Sequence, residues 1–188
     1  VRTVTRLPRF SPDDLDDAQR AVYGAVTGGR RASGPQAFPL TDDAGALRGP
    51  FNAMLLSPPV GGALQAVGEA VRYASVLGDR ARELAILAVA AHEDSAFERA
   101  AHEAVGRRAG LDESELAAVR AGSEPATLSD QERITLRTAR ALLRDRTLDD
   151  AGYAAAVGVL GERALFELTT LVGYYATLAL QLRVFAAE

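Results

Sequence analysis

Helix starts and stops follow one another along this chain too closely to leave room for strands. From Ser57 onward the punctuation is almost continuous. "SPPVGGALQAVGEAVRYASVLG" opens on Ser-Pro and ends at Gly78, and "SAFERAAHEAVGRRAG" opens at Ser95 and ends at Gly110. "DESELAAVRAG" carries a cap-and-acid pair at Asp112 and Glu115, and "SDQERITLRTARALLRD" repeats it at Ser129 and Glu132. Such pairs satisfy free amides at a helix start, and glycine suits the left-handed stop. "DRARELAILAVAA" is apolar nearly all round after its first turn, the mark of a buried helix. A short helix in "LDDAGYAAAVGVLG" and a last one from about Glu162 to Ala187 complete the series. The expected fold is all-α, a bundle of about six to seven helices, with no repeat at solenoid period.

Upstream, "SPDD" at Ser11–Asp14 offers an N-cap serine, proline at the first helical position and an acid at the third. The helix it predicts runs through "LDDAQRAVYGAV" to Gly28-Gly29. A Gly/Pro/Asp-rich loop of about two dozen residues follows, long enough to serve function as a lid or to wrap a neighbour as an oligomer arm. Its apolar end, Pro50-Phe51 with Met54, Leu55 and Leu56, is expected to pack on the body. The chain thus divides into an N-terminal helix with its extension (1–47) and a helical domain (48–188).

Composition removes several functions. Ala, Leu and Val dominate while aromatics make up 6%, as in packed helices rather than a β-sandwich. Net charge is −4 with the two signs interspersed, which argues against nucleic acid as a partner. There is no cysteine, so disulfides, thiolate metal sites and thiol redox chemistry are excluded. Every basic residue is arginine, so no lysine can form a Schiff base or a Walker A contact. "VRTVTRLPRFSPDDL" lacks the apolar core of a signal peptide, and Leu168–Leu180 is too short to span a bilayer. A soluble cytoplasmic protein with no membrane partner is the expectation.

The chemistry-bearing residues cluster in "HEDSAFERAAH", which holds both histidines of the chain. Ser95 and Glu98 have capping-box spacing and read equally as a helix start. Glu98 and His102, four apart, share a helical face, where a carboxylate can orient an imidazole. Glu83 opens the apolar run "ELAILAVAA". Facing inward it would need a donor or a proton, and facing outward it would be a first-turn acid beside Arg80 or Arg82. His92, at a helix end, reads as a C-terminal cap. No zinc-type spacing joins these side chains, and no metal or other cofactor is expected.

In order and spacing, Arg82-Glu83-Leu84, Ile86-Leu87, Phe97-Glu98, His102 and Gly110-Leu111 resemble the carboxymuconolactone decarboxylase family, which includes alkylhydroperoxidase D-like proteins. "RGPFNAMLLSP" and "LVGYYATLALQLRVF" look like its flanks, so the resemblance extends from about residue 48 to the C-terminus. The family's peroxidase branch uses a glutamate, two cysteines and a histidine. Here Glu83 and His102 match the outer members, and the cysteine positions fall on Ser95 and Glu98, so a thiol peroxidase is ruled out. The Phe-Glu-x-x-x-His form is similar to the decarboxylase-type branch. That resemblance implies an all-α, alkylhydroperoxidase D-like homo-oligomer, trimeric or hexameric. It also implies a cofactor-free lyase acting on a small carboxylated lactone in aromatic catabolism. His102 would donate the proton, Glu98 orient it and Glu83 complete the relay. Arg80 or Arg82 would hold a substrate carboxylate, and Tyr174 or Tyr175 would line the pocket. A proton-transfer enzyme on another cyclic acid and a non-catalytic oligomeric binding protein remain alternatives.

Overall fold

The computed structural model describes residues 6–33 and 37–186; the first five residues, Gly34–Gln36 in the long loop, and Ala187, where the last helix was expected to end, lie outside it. The described residues form α1 (Asp17–Gly28), α2 (Pro50–Met54), α3 (Pro58–Tyr73), α4 (Asp79–His92), α5 (Ala96–Arg108), α6 (Glu113–Arg120), α7 (Asp130–Asp145), α8 (Asp150–Leu160) and α9 (Glu162–Phe185). Among them the only extended pairing is a single bridge between Thr41 and Leu47. The helices outnumber the expected six to seven because α1 belongs to the N-terminal stretch and α2 is little more than one turn.

α4 is the central helix. Nine of its 14 residues are buried, as its all-round apolar sequence requires, and it packs on α5, α7 and α9. α7 and α9 close the bundle with α8, while α3 lies against α1, α2 and α9. The capping boxes at Asp112/Glu115 and Ser129/Glu132 both form, each side chain meeting the other's backbone amide. Their glutamates do double service. Arg80 Nε donates to Glu132 Oε1 at 2.6 Å, Nη2 donates to Glu115 Oε1 at 2.8 Å, and Nη1 reaches the Gly110 carbonyl. One guanidinium from α4 therefore ties together the starts of α6 and α7.

The first helix begins later than its sequence predicts. Ser11 makes no capping bond; Pro12–Asp14 is a single 3-10 turn and Leu15 is extended and buried. Asp16 caps α1 instead, in a reciprocal box with Gln19. Burying Leu15 and closing that box outweigh the Ser-Pro signal. The extension then folds back over its own chain. Tyr23 Oη donates to the Gly45 carbonyl at 2.9 Å, and Asn52 Nδ2 donates to the Pro8 carbonyl at 3.0 Å. Phe38 meets Phe97 edge-on, with ring centroids 6.3 Å apart.

Among the described residues no helix is long and apolar enough to cross a membrane.

Candidate functional site

The turn between α4 and α5 brings the site together. It passes through Asp94 at φ 49°, a left-handed conformation that aspartate tolerates better than most residues. This reverses the chain so that α5 lies back along α4. Ser95 caps α5, accepting from the Glu98 amide at 3.4 Å. The box is only half made, however: Glu98 does not return the bond but turns into the protein, where it is 4% exposed. That separates it from Glu115 and Glu132, which have the same spacing and do close their boxes.

Glu83 is fully buried and His102 is 2% exposed. His102 Nδ1 lies 2.6 Å from Glu83 Oε2, and its Nε2 lies 3.6 Å from Glu98 Oε2. The imidazole thus stands between two carboxyl groups, bonded to the first and just beyond bonding distance of the second. Arg82 Nε is 3.6 Å from the other Glu83 oxygen, while its Nη2 donates to Asp79 Oδ1 at 2.8 Å. Tyr175 meets His102 edge-on at 5.0 Å and Tyr174 meets Tyr175 in the same way at 5.1 Å.

The three titratable groups are pushed apart. Burial alone would raise the Glu83 carboxyl, but the His102 contact and the Arg72 and Arg82 charges hold it below the usual glutamate range. Burial, aided by Arg72 and Arg31, keeps His102 below the usual histidine value despite the pull of Glu83. The imidazole is therefore neutral, with its proton on Nδ1 facing the Glu83 carboxylate and its Nε2 lone pair facing Glu98. Burial pushes Glu98 up to about 7, opposed by Arg72 and Arg31 and reinforced by Glu83. Near neutrality Glu98 is thus poised between acid and carboxylate. Its Oε1 has no hydrogen-bond partner.

Glu98, His102 and Tyr175 line a cavity of about 10 Å³, room for no more than one water, together with Arg31, Arg72 and Phe38. Glu83 sits behind His102, outside that lining. Outside the cavity lies an open vestibule of about 170 Å³, also walled by Arg31, Arg72 and Phe38. Those three residues, common to both linings, mark the neck where cavity and vestibule adjoin.

The structure gathers Glu83, Glu98, His102, Tyr174 and Tyr175, and places Arg82 beside Glu83. It does not bring Arg80 to the cavity, because Arg80 is engaged at the α6 and α7 starts. His92 lies in a surface groove with Glu93 and Arg183, on the other side of the α4–α5 turn. Among the described residues no group of three potential metal ligands converges.

Two arginines at the cavity were not anticipated. Arg31 comes from a 3-10 turn in the extension, where nothing in "GGRRASGP" marks it as inward. Arg72 did carry a signal. The buried face of α3 includes Gly61, Gln65, Gly68 and Arg72, at intervals of four, three and four. Small and polar residues on the inward stripe of an amphipathic helix mark a place where something other than core is packed. Gly68 shows why: a Cβ there would stand 2.2 Å from Tyr174 Oη and 2.9 Å from Arg31 Nη2.

The fold is shared with known structures. The chain aligns over its whole length with an uncharacterized peroxidase-related protein from Ralstonia eutropha JMP134, described as an alkylhydroperoxidase AhpD core. The TM-score is 0.77 at 15% identity, with 93% of that chain covered. A similar protein from Silicibacter sp. TM1040 aligns at TM-score 0.72 and 15% identity, over 100% of this chain and 92% of its own. The debrominase Bmp8 aligns at TM-score 0.70 and 12% identity, again over 100% and 92%. Identities this low speak for the fold alone. No curated protein matches the sequence. Residues 58–141 match the carboxymuconolactone decarboxylase family model, a span that holds Glu83, Glu98 and His102. The segment that carries Glu83, Glu98 and His102 is thus similar to the carboxymuconolactone decarboxylase family, and it is set in an alkylhydroperoxidase D-like fold.

Proposed function

We propose that the protein is a cofactor-independent lyase that decarboxylates a small carboxylated lactone or a related cyclic acid by acid–base catalysis. The observation that carries this reading is the line Glu83–His102–Glu98, which ends at the cavity on a carboxyl group held near neutral pKa. An acid with a pKa close to the working pH is the form that general acid catalysis favours.

In this reading the C–C bond to the carboxylate breaks, CO₂ leaves, and the electron pair enters the unsaturated lactone as a dienolate. Glu98 then delivers its proton to carbon and becomes a carboxylate facing Arg31 and Arg72. Solvent later restores the proton. Glu83 fixes the tautomer of His102, and the His102 Nε2 lone pair orients the Glu98 hydroxyl. These roles reverse those expected from the sequence, with His102 the donor and Glu98 its orienter: a neutral buried His102 and a Glu98 held near 7 support Glu98 as the acid and His102 as its positioning partner. The dry aromatic surround favours loss of a charged carboxylate as neutral CO₂. With no cysteine in these 188 residues, the names of the peroxidase-related neighbours do not transfer.

The test is CO₂ release from γ-carboxymuconolactone. The wild type is expected to turn over, and His102→Ala to fall by about 10²–10⁴-fold, the usual worth of a positioned acid. Absence of CO₂ release by the wild type overturns the lactone assignment.

We also propose that the protein works as a homo-oligomer of copies of this chain, in a soluble cytoplasmic setting. The outward face of α9 carries Phe166, Thr170, Gly173, Thr177, Leu180 and Val184, alternating four and three apart in the register of a helix–helix seam. Phe166 is 71% exposed, well beyond what an isolated subunit needs. The hydroxyls of Thr170 and Thr177 donate back to the Phe166 and Gly173 carbonyls, so the stripe presents methyl groups. An uncharged seam with a glycine at its middle suits close approach of an identical helix. Light scattering at micromolar concentration is expected to give a multiple of the 19.8 kDa chain mass, and Phe166→Glu to lower it. A wild-type monomer refutes the assembly.

A further inference from the structure

Arg72 is 7% exposed, yet it makes no hydrogen bond or ion pair with the described residues and only stacks over the Tyr73 ring at 5.2 Å. Arg31 is 6% exposed. Its Nη2 donates to the neutral Gln65 Oε1 at 3.2 Å, its plane lies 4.8 Å over Phe51, and its Nε has no partner. Neither guanidinium has a carboxylate of its own. Glu83, the nearby full anion, is bonded to His102. Two buried cations without bonded anions are costly to hold, and such an arrangement makes sense when a ligand completes it.

Both arginines line the inner cavity and the vestibule, with Phe38 beside them. We propose that Arg31 and Arg72 form a carboxylate clamp at this neck, which takes the acid group of a small planar carboxylic acid whose ring lies in the vestibule against Phe38. The proposal rests on the acid–base reading above and specifies its substrate class. Planar forks recognise planar carboxylates with two parallel bonds, and the aromatic lining favours a flat, unsaturated body over a sugar or a peptide.

The probe is benzoate, with benzamide as its uncharged counterpart and inorganic phosphate as a non-planar anion, each titrated calorimetrically. The wild type is expected to bind benzoate at least about tenfold more tightly than benzamide. Arg72→Gln and Arg31→Gln should each weaken benzoate by about tenfold or more, while Arg137→Gln, an exposed arginine paired with Glu124, leaves it unchanged. Arg72→Gln removes no bonded partner and should fold. If it does not, Arg31→Gln and the benzoate-to-benzamide ratio of the wild type decide. Equal binding of benzoate and benzamide, or phosphate binding more tightly than benzoate, overturns the clamp. CO₂ release by the wild type and by Arg72→Gln separates the two readings. Benzoate binding through Arg72 without any CO₂ release from the lactone leaves the clamp standing and removes the lyase. CO₂ release with an unchanged KM in Arg72→Gln removes the clamp and leaves the lyase.

Discussion

Glu98→Gln is expected to lower turnover by about 10²–10⁴-fold and, at the same time, to make the protein more stable above pH 7. The two effects share one cause. Glu98 titrates near 4.5 when unfolded and is pushed up to about 7 in the fold. As the pH rises through that interval the unfolded chain ionises first, so stability falls between about pH 4.5 and 7 and then levels off. A shift of that size, already net of the Arg72 and Arg31 charges, corresponds to roughly 3 kcal/mol at pH 8. A glutamine keeps the shape and needs no ionisation. Thermal melts of both proteins across pH 5 to 8 should converge at the acid end and separate by several degrees at the alkaline end. The wild-type rate should fall as the pH rises past about 7, the sign expected of an acid that must hold its proton. A rate that rises through that region instead would make Glu98 a base. Melts that stay parallel would mean that its carboxyl is not held near 7 at all.

Glu83→Ala is expected to be the most damaging single change to stability. It removes the acceptor for the His102 Nδ1 proton and an anion that faces Arg72 and Arg82. Breaking one side of a buried charged pair costs about 3–5 kcal/mol. In a chain of this size that lowers the melting temperature by roughly 10 °C. Because the folded carboxyl lies below its unfolded value, this contribution is present above the ordinary glutamate range and is lost as the pH falls through the depressed value. The wild type should therefore approach the variant on acidification. Glu83→Gln keeps an oxygen for the imidazole and should cost less. A Glu83→Ala variant melting within a degree or two of wild type at pH 7 would show that the cluster holds itself together without its anion.

The helices were legible because their signals are local. Cap residues, glycine stops and the apolar run of α4 each act within one or two turns; α1 starts late, where burial of Leu15 overrode a serine, and α3 stops at Tyr73, short of Gly78, which caps α4 instead. Glu83, Glu98 and His102 were legible for a different reason. A buried acid in an apolar helix and an i,i+4 acid–histidine pair already limit what can surround them. The direction of the Glu98 side chain was not. Ser95-x-x-Glu98 and Ser129-x-x-Glu132 are the same pattern, and only the α4–α5 reversal decides which glutamate caps and which turns inward. Arg31 and Arg80 exchanged places against expectation for a similar reason. Arg80 sits two residues before Glu83's neighbour Arg82, yet it finds carboxylates on two other helices. Arg31 is far away in sequence and arrives by a loop whose path no periodicity describes.

That loop has a consequence for how such sites diversify. The matched span begins at residue 58, but one of the two cations at the neck, and the phenyl ring beside it, lie before that point. The proton-handling line is built into helices whose packing resists change. Arg31 and Phe38 come from the connection between α1 and α2, and connections of this kind tolerate insertion, deletion and substitution. A new acid could therefore be admitted by rewriting residues 29–40 while α4 and α5 stay as they are. On the proposed reading the reaction goes with the bundle, and selectivity is shared between α3, which holds Arg72, and a segment that can evolve almost separately.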